Sequence, residues 1–600
     1  MAKKRIDVMV TSFRDGFQSV FGARVLTKDF LPAVEAAVEA GVTHFESGGG
    51  ARFQSLFFYC NENAFDMMDE FRRIVGPQVN LQTLARGINV VGLDSQPKDI
   101  INLHAKLFKK HGVTTIRNFD ALNDPENLRY SGECIVNNGL KHEVVITMMD
   151  LPPGCEGAHD AAFYEKTLRG ILDAGIQFDS LCFKDASGTS HPRKVFETIK
   201  TARSILGQDI LIRFHTHETA GISVACYLAA LDAGASGIDL AMVPASGGTS
   251  QPDVLTLLHA LEGTDYDLGL EKEKILKAED VFKECLKDYF LPPEAFQVSP
   301  VIRWSPMPGG ALTANTQMMR DNNTLDRFPE VINAMSEVVK RGGYGTSVTP
   351  VSQFYFQQAF NNVMFGPWQK IAEGYGKMVL GYFGKTPVEP DAEIVRIAAE
   401  QLKLEPTTRN PLDIDNEDPA KGVEAARKML KESNLEETEE NIFIASTCKE
   451  KGIRFLQGKA VQNIRKIAKK ESQKEKPGGY TVTVDGKAYG VSLDGNTYTV
   501  NGKNYTINIK EGLEASFAAP GKPESGATED GIPIKAPLPG QVLKIIAKIS
   551  DHVEKGDTIL ILEAMKMETE IKSSKAGTVS AISVSEGDTV KPDQVLAWIN

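Results

Sequence analysis

The chain has 600 residues, and because a domain usually holds about 100 to 200, several cores are expected rather than one. Hydrophobic residues at 42% and charged residues at 24% sit near globular averages and exclude a disordered or fibrous chain. The net charge of -12 excludes a basic face broad enough for nucleic acid, and no apolar run reaches membrane-spanning length.

The N-terminus meets Arg14 and Asp15 before a signal-length apolar core can form, so secretion is not expected. Over residues 1–270, β-type runs alternate with amphipathic stretches: IDVMVTSF (6–13), THFE (43–46), NLQTLA (80–85), VTTIRNFD (113–120), EVVITMMD (143–150), FDSLCFK (178–184), ILIRFHTH (210–217) and GIDLAMV (237–243). Eight βα units predict an α/β fold of the TIM-barrel type. An open doubly wound sheet is the rival, but RDGFQS is not the GxGxxG turn that such sheets carry.

Residues 271–470 lose the β-type runs and read as a mostly helical extension. At 471–511, alternating residues around Asp-Gly and Asn-Gly dipeptides predict a small β element. Residues 512–531, rich in Gly, Ala, Pro, Ser and Glu, read as a flexible tether, with a root-mean-square span of roughly 25 Å and a stretched length of about 65 Å. The last module, 532–600, repeats itself at an offset of 37: Gly540, Val542, Ile545, Asp551 and Val553 recur as Gly577, Val579, Ile582, Asp588 and Val590. That repeat predicts a duplicated all-β barrel whose halves meet near Lys566, at a position suited to a hairpin tip.

Four residues fall at predicted C-terminal strand ends, where barrel active sites are built: Asp15, Lys184, His215 and His217. Residues i and i+2 of an extended segment point the same way, so the two imidazoles can converge on one ion. Read singly, each histidine could equally be an ordinary core or polar residue, and Lys184 could be a simple partner of Asp185. FGKT at 383–386 lacks the earlier glycine of a phosphate loop because Val379 stands there, and no HExxH occurs, so neither an ATP site nor that zinc motif is evident. The seven cysteines form no CxxC pair, which fits reduced thiols and a cytoplasmic location.

Glu563-Ala564-Met565-Lys566-Met567, inside the repeated barrel, resembles the biotin attachment signature of biotinyl carrier domains. Lipoyl domains share that barrel, but their lysine is not usually set between two methionines. FRDGFQS (13–19), GGARF (49–53), LARGINVVG (84–92), IRNFDALN (116–123), FKDASG (183–188), FHTHET (214–219), SGGTSQPD (246–253), MPGGALTAN (307–315) and VTPVSQ (348–353) resemble, in order, the carboxyltransferase domain of the pyruvate carboxylase, oxaloacetate decarboxylase and transcarboxylase family. The resemblance covers about residues 5–470.

By that resemblance, Asp15, His215, His217 and a carbamylated Lys184 hold a divalent metal, zinc first, with manganese or cobalt as alternatives. Arg86 and Gln18 meet a 2-keto acid, and Thr349 carries a proton between the substrate methyl and the biotin on Lys566. A helix cap is the plain alternative for Thr349, since a proline follows it.

The implied protein is a carboxyltransferase-plus-carrier subunit. It would be modified by a biotin protein ligase, be homo-oligomeric, and work with a separate ATP-dependent biotin carboxylase subunit on pyruvate and oxaloacetate. The alternatives are an oxaloacetate decarboxylase alpha subunit with membrane partners, a 2-oxoglutarate carboxylase subunit, and a carrier scaffold with an inactive barrel. Departures from the family pattern at Phe17, Ser47, Arg52 and Gln54 leave the pocket detail and the size of the substrate's far end open.

Overall fold

The computed structural model describes residues 3–467 and, beyond them, 480–484, 487–494, 497–500, 503–506, 531–537, 540–564, 567–591 and 593–600. The chain divides into two compact units, 1–465 and 466–600. Among the described residues, no helix is long and apolar enough to cross a membrane.

In the first unit, β1 (Asp7–Val10), β2 (His44–Gly49), β3 (Asn80–Ala85), β4 (Thr115–Asn118), β5 (Lys141–Thr147), β6 (Ser180–Asp185), β7 (Leu211–Thr216) and β8 (Gly237–Leu240) form a closed parallel barrel. Closure comes from β8 pairing back on β1, with Asp7 opposite Gly237 and Val10 opposite Leu240. Each predicted run overlaps one strand, although β2 runs on to Gly49, β5 begins at Lys141 and β6 ends at Asp185, and the barrel rather than the open sheet is the outcome. Several strands stop short of the runs at their C-terminal ends. Phe13, Met148, Met149 and Met242 stay buried after the chain has left the sheet. Apolar alternation reports burial, and the loops at this end are buried, so the pattern outlasts the ladder.

Helices follow the strands as the ring of the barrel, among them Thr27–Glu39, Lys98–Lys110, Pro192–Leu206 and Ser223–Asp232. Helix Lys272–Leu286 completes the ring by packing on Thr27–Glu39, and its Phe282 joins Phe13, Phe17 and Phe30 in an aromatic cluster with ring centroids 5.1 to 5.9 Å apart. Beyond it, helix Gly309–Asp321 lies on the loop after β8. A Cβ at Gly309 would fall 1.6 Å from the Thr249 carbonyl oxygen, so only glycine permits this approach. Helix Glu439–Leu456 packs on the outer face and sets Phe443 among Phe53, Phe65 and Phe108.

The barrel interior is ionic. Arg117 donates to Glu143 and to Asp239, both at 2.5 Å, while Arg213 reaches the same two carboxylates at 3.2 Å and also bonds Asp7. His44 bridges Asp7 and Gln82 at 3.0 Å each, and Gln82 donates to Glu143 at 2.7 Å. Seven strands contribute to this network. Burial alone would raise Glu143 and Asp239, but the facing guanidinium groups outweigh it and hold both carboxyls below their usual range.

In the second unit, Tyr480–Val484, Lys487–Asp494, Thr497–Val500 and Lys503–Thr506 form an antiparallel meander. The dipeptides between its strands, read above as turns, lie outside the described residues, as does nearly all of the predicted tether. Residues 531–600 form two four-stranded sheets. One runs Ile532–Lys535, Val595–Ile599, Gly577–Ile582, His552–Val553, and the other runs Met567–Lys572, Thr558–Ala564, Gly540–Ile545, Thr589–Val590. The offset of 37 reads directly as symmetry: Asp551 Oδ2 accepts the Lys548 amide at 2.8 Å, and Asp588 Oδ2 accepts the Ser585 amide at 2.8 Å. Core pairs such as Val542 with Val579 and Val553 with Val590 follow the same spacing.

Replacing Arg117 by Met leaves Glu143 and Asp239 with one guanidinium between them. Loss of one partner of a buried ion pair costs about 3 to 5 kcal/mol. Denaturant unfolding followed by tryptophan fluorescence and circular dichroism is expected to show a shift of that size, and an unchanged midpoint would remove the network from the barrel's stability.

Candidate active site

The turn after β1 and the ends of β6 and β7 bring four side chains together. Asp15 sits on the turn Ser12–Gly16, Lys184 near the end of β6 and His215 near the end of β7. His217 follows on the same side of extended backbone. None is more than 4% exposed. Asp15 Oδ2 lies 3.2 Å from Lys184 Nζ, 3.3 Å from His215 Nε2 and 3.6 Å from His217 Nε2, and Lys184 Nζ lies 2.6 Å from His215 Nε2.

Both imidazoles are oriented from behind. His215 Nδ1 is 2.7 Å from Asp239 Oδ2, and His217 Nδ1 is 2.6 Å from the Thr249 carbonyl oxygen. These partners accept hydrogen bonds and give none, so each Nδ1 carries the hydrogen and each Nε2 keeps its lone pair. The two Nε2 atoms stand 3.1 Å apart. Burial, aided by the neighbouring Lys184 charge, holds His215 well below the usual imidazole value and therefore neutral. Burial by itself would raise Asp15, but Arg14 and Lys184 prevail and keep it ionised. Burial also lowers Lys184, with Asp15 opposing.

Asp15, His215 and His217 offer ligand atoms within 4.8 Å of one another. Two imidazole nitrogens braced by carboxylate and carbonyl, plus one anionic oxygen, fit a divalent cation. A carbamate on Lys184 would supply a second oxygen.

Over this cluster lies a cavity of about 370 Å³, solvent at its mouth included, lined among others by Gln18, Arg86, Lys184, His217 and Thr349. Leu84, Phe119 and Val348 supply apolar wall, and Pro308 and Gly310 bring the helical extension to its rim. Arg86 uses Nη1 on the Val91 and Gly92 carbonyls, both at 2.7 Å, while its Nε is buried with no hydrogen-bond partner. It also has no carboxylate partner among the described residues. Burial, with the Arg14 charge, pulls it down to about 9, whereas Arg117 is driven up by Asp239 against its burial. Arg86 is thus a held, uncompensated cation facing the cavity.

Gln18 accepts from Arg14 Nη1 at 3.3 Å and packs under Gly310. Thr349 precedes helix Val351–Phe365, whose capping position is Pro350 with no side-chain cap, so the helix-cap alternative for Thr349 does not hold.

The departures from the family pattern sit elsewhere. Arg52 donates to the Ala23 and Val25 carbonyls at 2.7 Å, Gln54 donates to the Thr447 carbonyl at 2.9 Å, and Ser47 reaches the Gln82 carbonyl at 3.4 Å. Phe17 is fully buried in the aromatic cluster. None of the four is among the residues that line the cavity.

Sequence reasoning missed Arg14, Glu46, Asp239 and Gln251. Arg14 donates to Glu46 at 2.5 Å and to Asp15 at 3.2 Å. Asp239, an ionisable residue in the middle of the apolar run GIDLAMV, was the one legible signal. Lys566 and its neighbour Met565 lie outside the described residues, and the ladder on either side of them ends at Ala564 opposite Met567.

Three family models match the chain: one described as a conserved carboxylase domain over 302–495, an HMGL-like model over 148–282, and a biotin-requiring enzyme model over 532–599. Together with the barrel and the repeated β domain, these define a biotin-dependent carboxyltransferase that carries its own biotinyl domain. The B subunit of pyruvate carboxylase from Methanocaldococcus jannaschii is 30% identical over 566 residues, covering 94% of each chain, and this protein belongs to that family. The 2-oxoglutarate carboxylase large subunit of Hydrogenobacter thermophilus is 27% identical over 634 residues, covering 100% of this chain and 95% of its own. The carboxyl transferase domain of Rhizobium etli pyruvate carboxylase, solved with pyruvate and biocytin, shares the fold with a TM-score of 0.69 at 24% identity, covering 84% of this chain and 89% of that one.

Proposed function

We propose that this chain transfers a carboxyl group between biotin on Lys566 and the pyruvate/oxaloacetate pair, as the carboxyltransferase-plus-carrier subunit of a two-chain pyruvate carboxylase. The observation that carries the substrate class is Arg86. Its Nε is free, buried and charged, and a guanidinium edge of this kind takes one carboxylate. Of the other basic residues of the cavity wall, Arg14 is engaged by Glu46 and Asp15, and Lys184 is taken up in the metal set as its carbamate. The remaining wall at Leu84, Phe119 and Val348 suits a methyl group.

In this reading Asp15, His215, His217 and the carbamate of Lys184 hold a divalent metal, zinc first. The lowered Lys184 supports carbamate formation: the neutral amine bonds to the carbon of CO₂ and one proton leaves. When bound, the metal polarises the keto oxygen as a Lewis acid.

The residues of the chain do the rest. Arg86 binds the carboxylate and fixes the methyl carbon, with Gln18 beside it. Biotin on Lys566 would carry the carboxyl group to and from the cavity; Thr349 would take a proton from the methyl carbon at its hydroxyl oxygen and in the same step give up its own hydroxyl proton toward the group that has surrendered the carboxyl. The enolate carbon then bonds to CO₂, giving oxaloacetate and biotin. Run backwards, the same groups decarboxylate oxaloacetate.

That these two relatives are each named as one subunit of a carboxylase supports a separate ATP-dependent biotin carboxylase chain as partner. A biotin protein ligase attaches the biotin, and seven free cysteines fit a cytoplasmic setting.

Three outcomes are expected. Co-expression with a biotin protein ligase raises the intact mass by one biotin, and Lys566→Arg abolishes the rise; a variant still held by streptavidin after denaturation sinks the assignment. Thr349→Ala keeps biotin and metal content but loses about 10²- to 10⁴-fold in carboxyl exchange, and near-normal turnover removes Thr349 from the proton path. Arg86→Gln weakens use of the keto acid by about 1.5 to 3 kcal/mol, roughly 10- to 150-fold in kcat/KM. In the same assay, with an added biotin carboxylase subunit, ATP and labelled bicarbonate, label goes into pyruvate. Label fixed only into 2-oxoglutarate overturns the substrate reading.

A further inference from the structure

Behind the two histidines stands Gln251, fully buried, on the loop after β8. Its Nε2 lies 3.0 Å from His217 Nε2 and 3.4 Å from His215 Nε2. Its Oε1 lies 2.6 Å from Thr11 Oγ, which in turn is 3.0 Å from the Leu240 carbonyl oxygen. The Thr11 hydroxyl has one hydrogen and two acceptors in reach, so it cannot serve both.

Two arrangements satisfy this set. In the first, the amide NH₂ of Gln251 donates to the imidazole lone pairs, and Thr11 donates to Gln251 Oε1. The Leu240 carbonyl keeps the Thr11 backbone N–H at 2.9 Å and is not orphaned. In the second, the amide is turned by half a rotation about its last bond: NH₂ donates to Thr11 Oγ, and Thr11 donates to Leu240. The carbonyl oxygen of Gln251 then faces the two Nε2 lone pairs. Three lone-pair atoms at 3.0 to 3.4 Å repel one another unless a cation lies among them. Lys184 Nζ, 2.6 Å away, serves His215 Nε2 in either case; the first arrangement gives His217 Nε2 its donor without a cation, and the second leaves it facing an oxygen unless a cation lies between them. Oxygen and nitrogen of an amide fill nearly the same envelope, so the turn needs no repacking.

We infer that Gln251 is a metal-linked amide switch: its NH₂ braces His215 and His217 when no cation lies between them, and its carbonyl oxygen turns to the cation when one binds, with the Thr11 hydroxyl as the relay that accepts either orientation. Gln251 is therefore a positioning residue of the metal site, reached through β8 rather than through β6 or β7. The inference rests on the metal reading given above and adds to it a residue that the four-ligand set leaves out.

The test is Co²⁺ binding, read as affinity and as the visible ligand-field spectrum, on the full-length chain stripped of metal by chelator, with folding checked by circular dichroism. Wild type is expected to bind one Co²⁺. Gln251→Leu, which has neither donor nor acceptor, is expected to lose about 10- to 100-fold in affinity and to change the spectrum. Gln251→Glu keeps an oxygen toward the cation and is expected to bind Co²⁺ at least as tightly as wild type. Thr11→Val, which removes the relay while leaving the amide in place, is expected to weaken binding, and it carries the test if the Gln251 variants fail to fold.

If Gln251→Leu binds with wild-type affinity and spectrum, or Gln251→Glu weakens binding as much as Gln251→Leu, or Thr11→Val binds as wild type does, the switch is overturned while the metal reading stands. If wild type binds no Co²⁺, both fall together.

Discussion

The contact on which the site depends is that of Asp239 with Arg117, Arg213 and His215. One carboxylate accepts from Arg117 at 2.5 Å, from Arg213 at 3.2 Å and from His215 Nδ1 at 2.7 Å. It therefore belongs to the ionic core and to the site at once. A carboxylate with one guanidinium partner could protonate in such burial and then donate to the imidazole, which would place the lone pair of His215 on the wrong nitrogen. Two guanidinium groups keep it an acceptor, and the tautomer of His215 follows from that.

The same logic separates cations that build from cations that bind. Arg117 and Arg213 are fully buried and matched by Glu143, Asp239 and Asp7, so their charge is spent within the barrel. Arg14 is matched by Glu46 and Asp15. Arg86 alone among the arginines of the cavity wall is held by carbonyl dipoles and left without a countercharge. Carbonyl oxygens fix the position of a guanidinium without neutralising it, which suits a group that must hold an incoming anion.

Much of the barrel was legible because its signal is repeated eight times, and Asp15, Lys184, His215 and His217 were legible because strand ends mark the chemical face of this fold. The cavity adds Arg86, Gln18 and Thr349 to the same place, positions that in sequence only the family resemblance brought together. What the sequence concealed depends on side chains meeting across strands. Nothing near Asp239 in GIDLAMV says which histidine it orients, because its partner lies 24 residues away on the neighbouring strand. Gln251 sits in a polar loop, SGGTSQPD, where an amide carries no distinguishing mark until Thr11 and the imidazoles are placed around it. Strand ends were misjudged for a related reason, since buried loop residues such as Met148 and Met242 continue the apolar pattern past the ladder.

The departures at Phe17 and Arg52 meet in the structure. An aromatic ring and a guanidinium face each other, with the Arg52 carbon 5.4 Å from the Phe17 ring centroid and 5.6 Å from that of Phe30. The guanidinium caps the Ala23 and Val25 carbonyls, and the rings supply the faces that a buried cation prefers. Ser55 Oγ also donates to the Ala23 carbonyl at 2.8 Å, and Cys60 Sγ lies 3.7 Å from that of Val25, so Arg52 is one of several groups that close this turn. Neither Phe17 nor Arg52 lines the cavity, and Phe17 follows Asp15 by two residues, so their contact bears on the turn that carries Asp15 and not on the cavity wall.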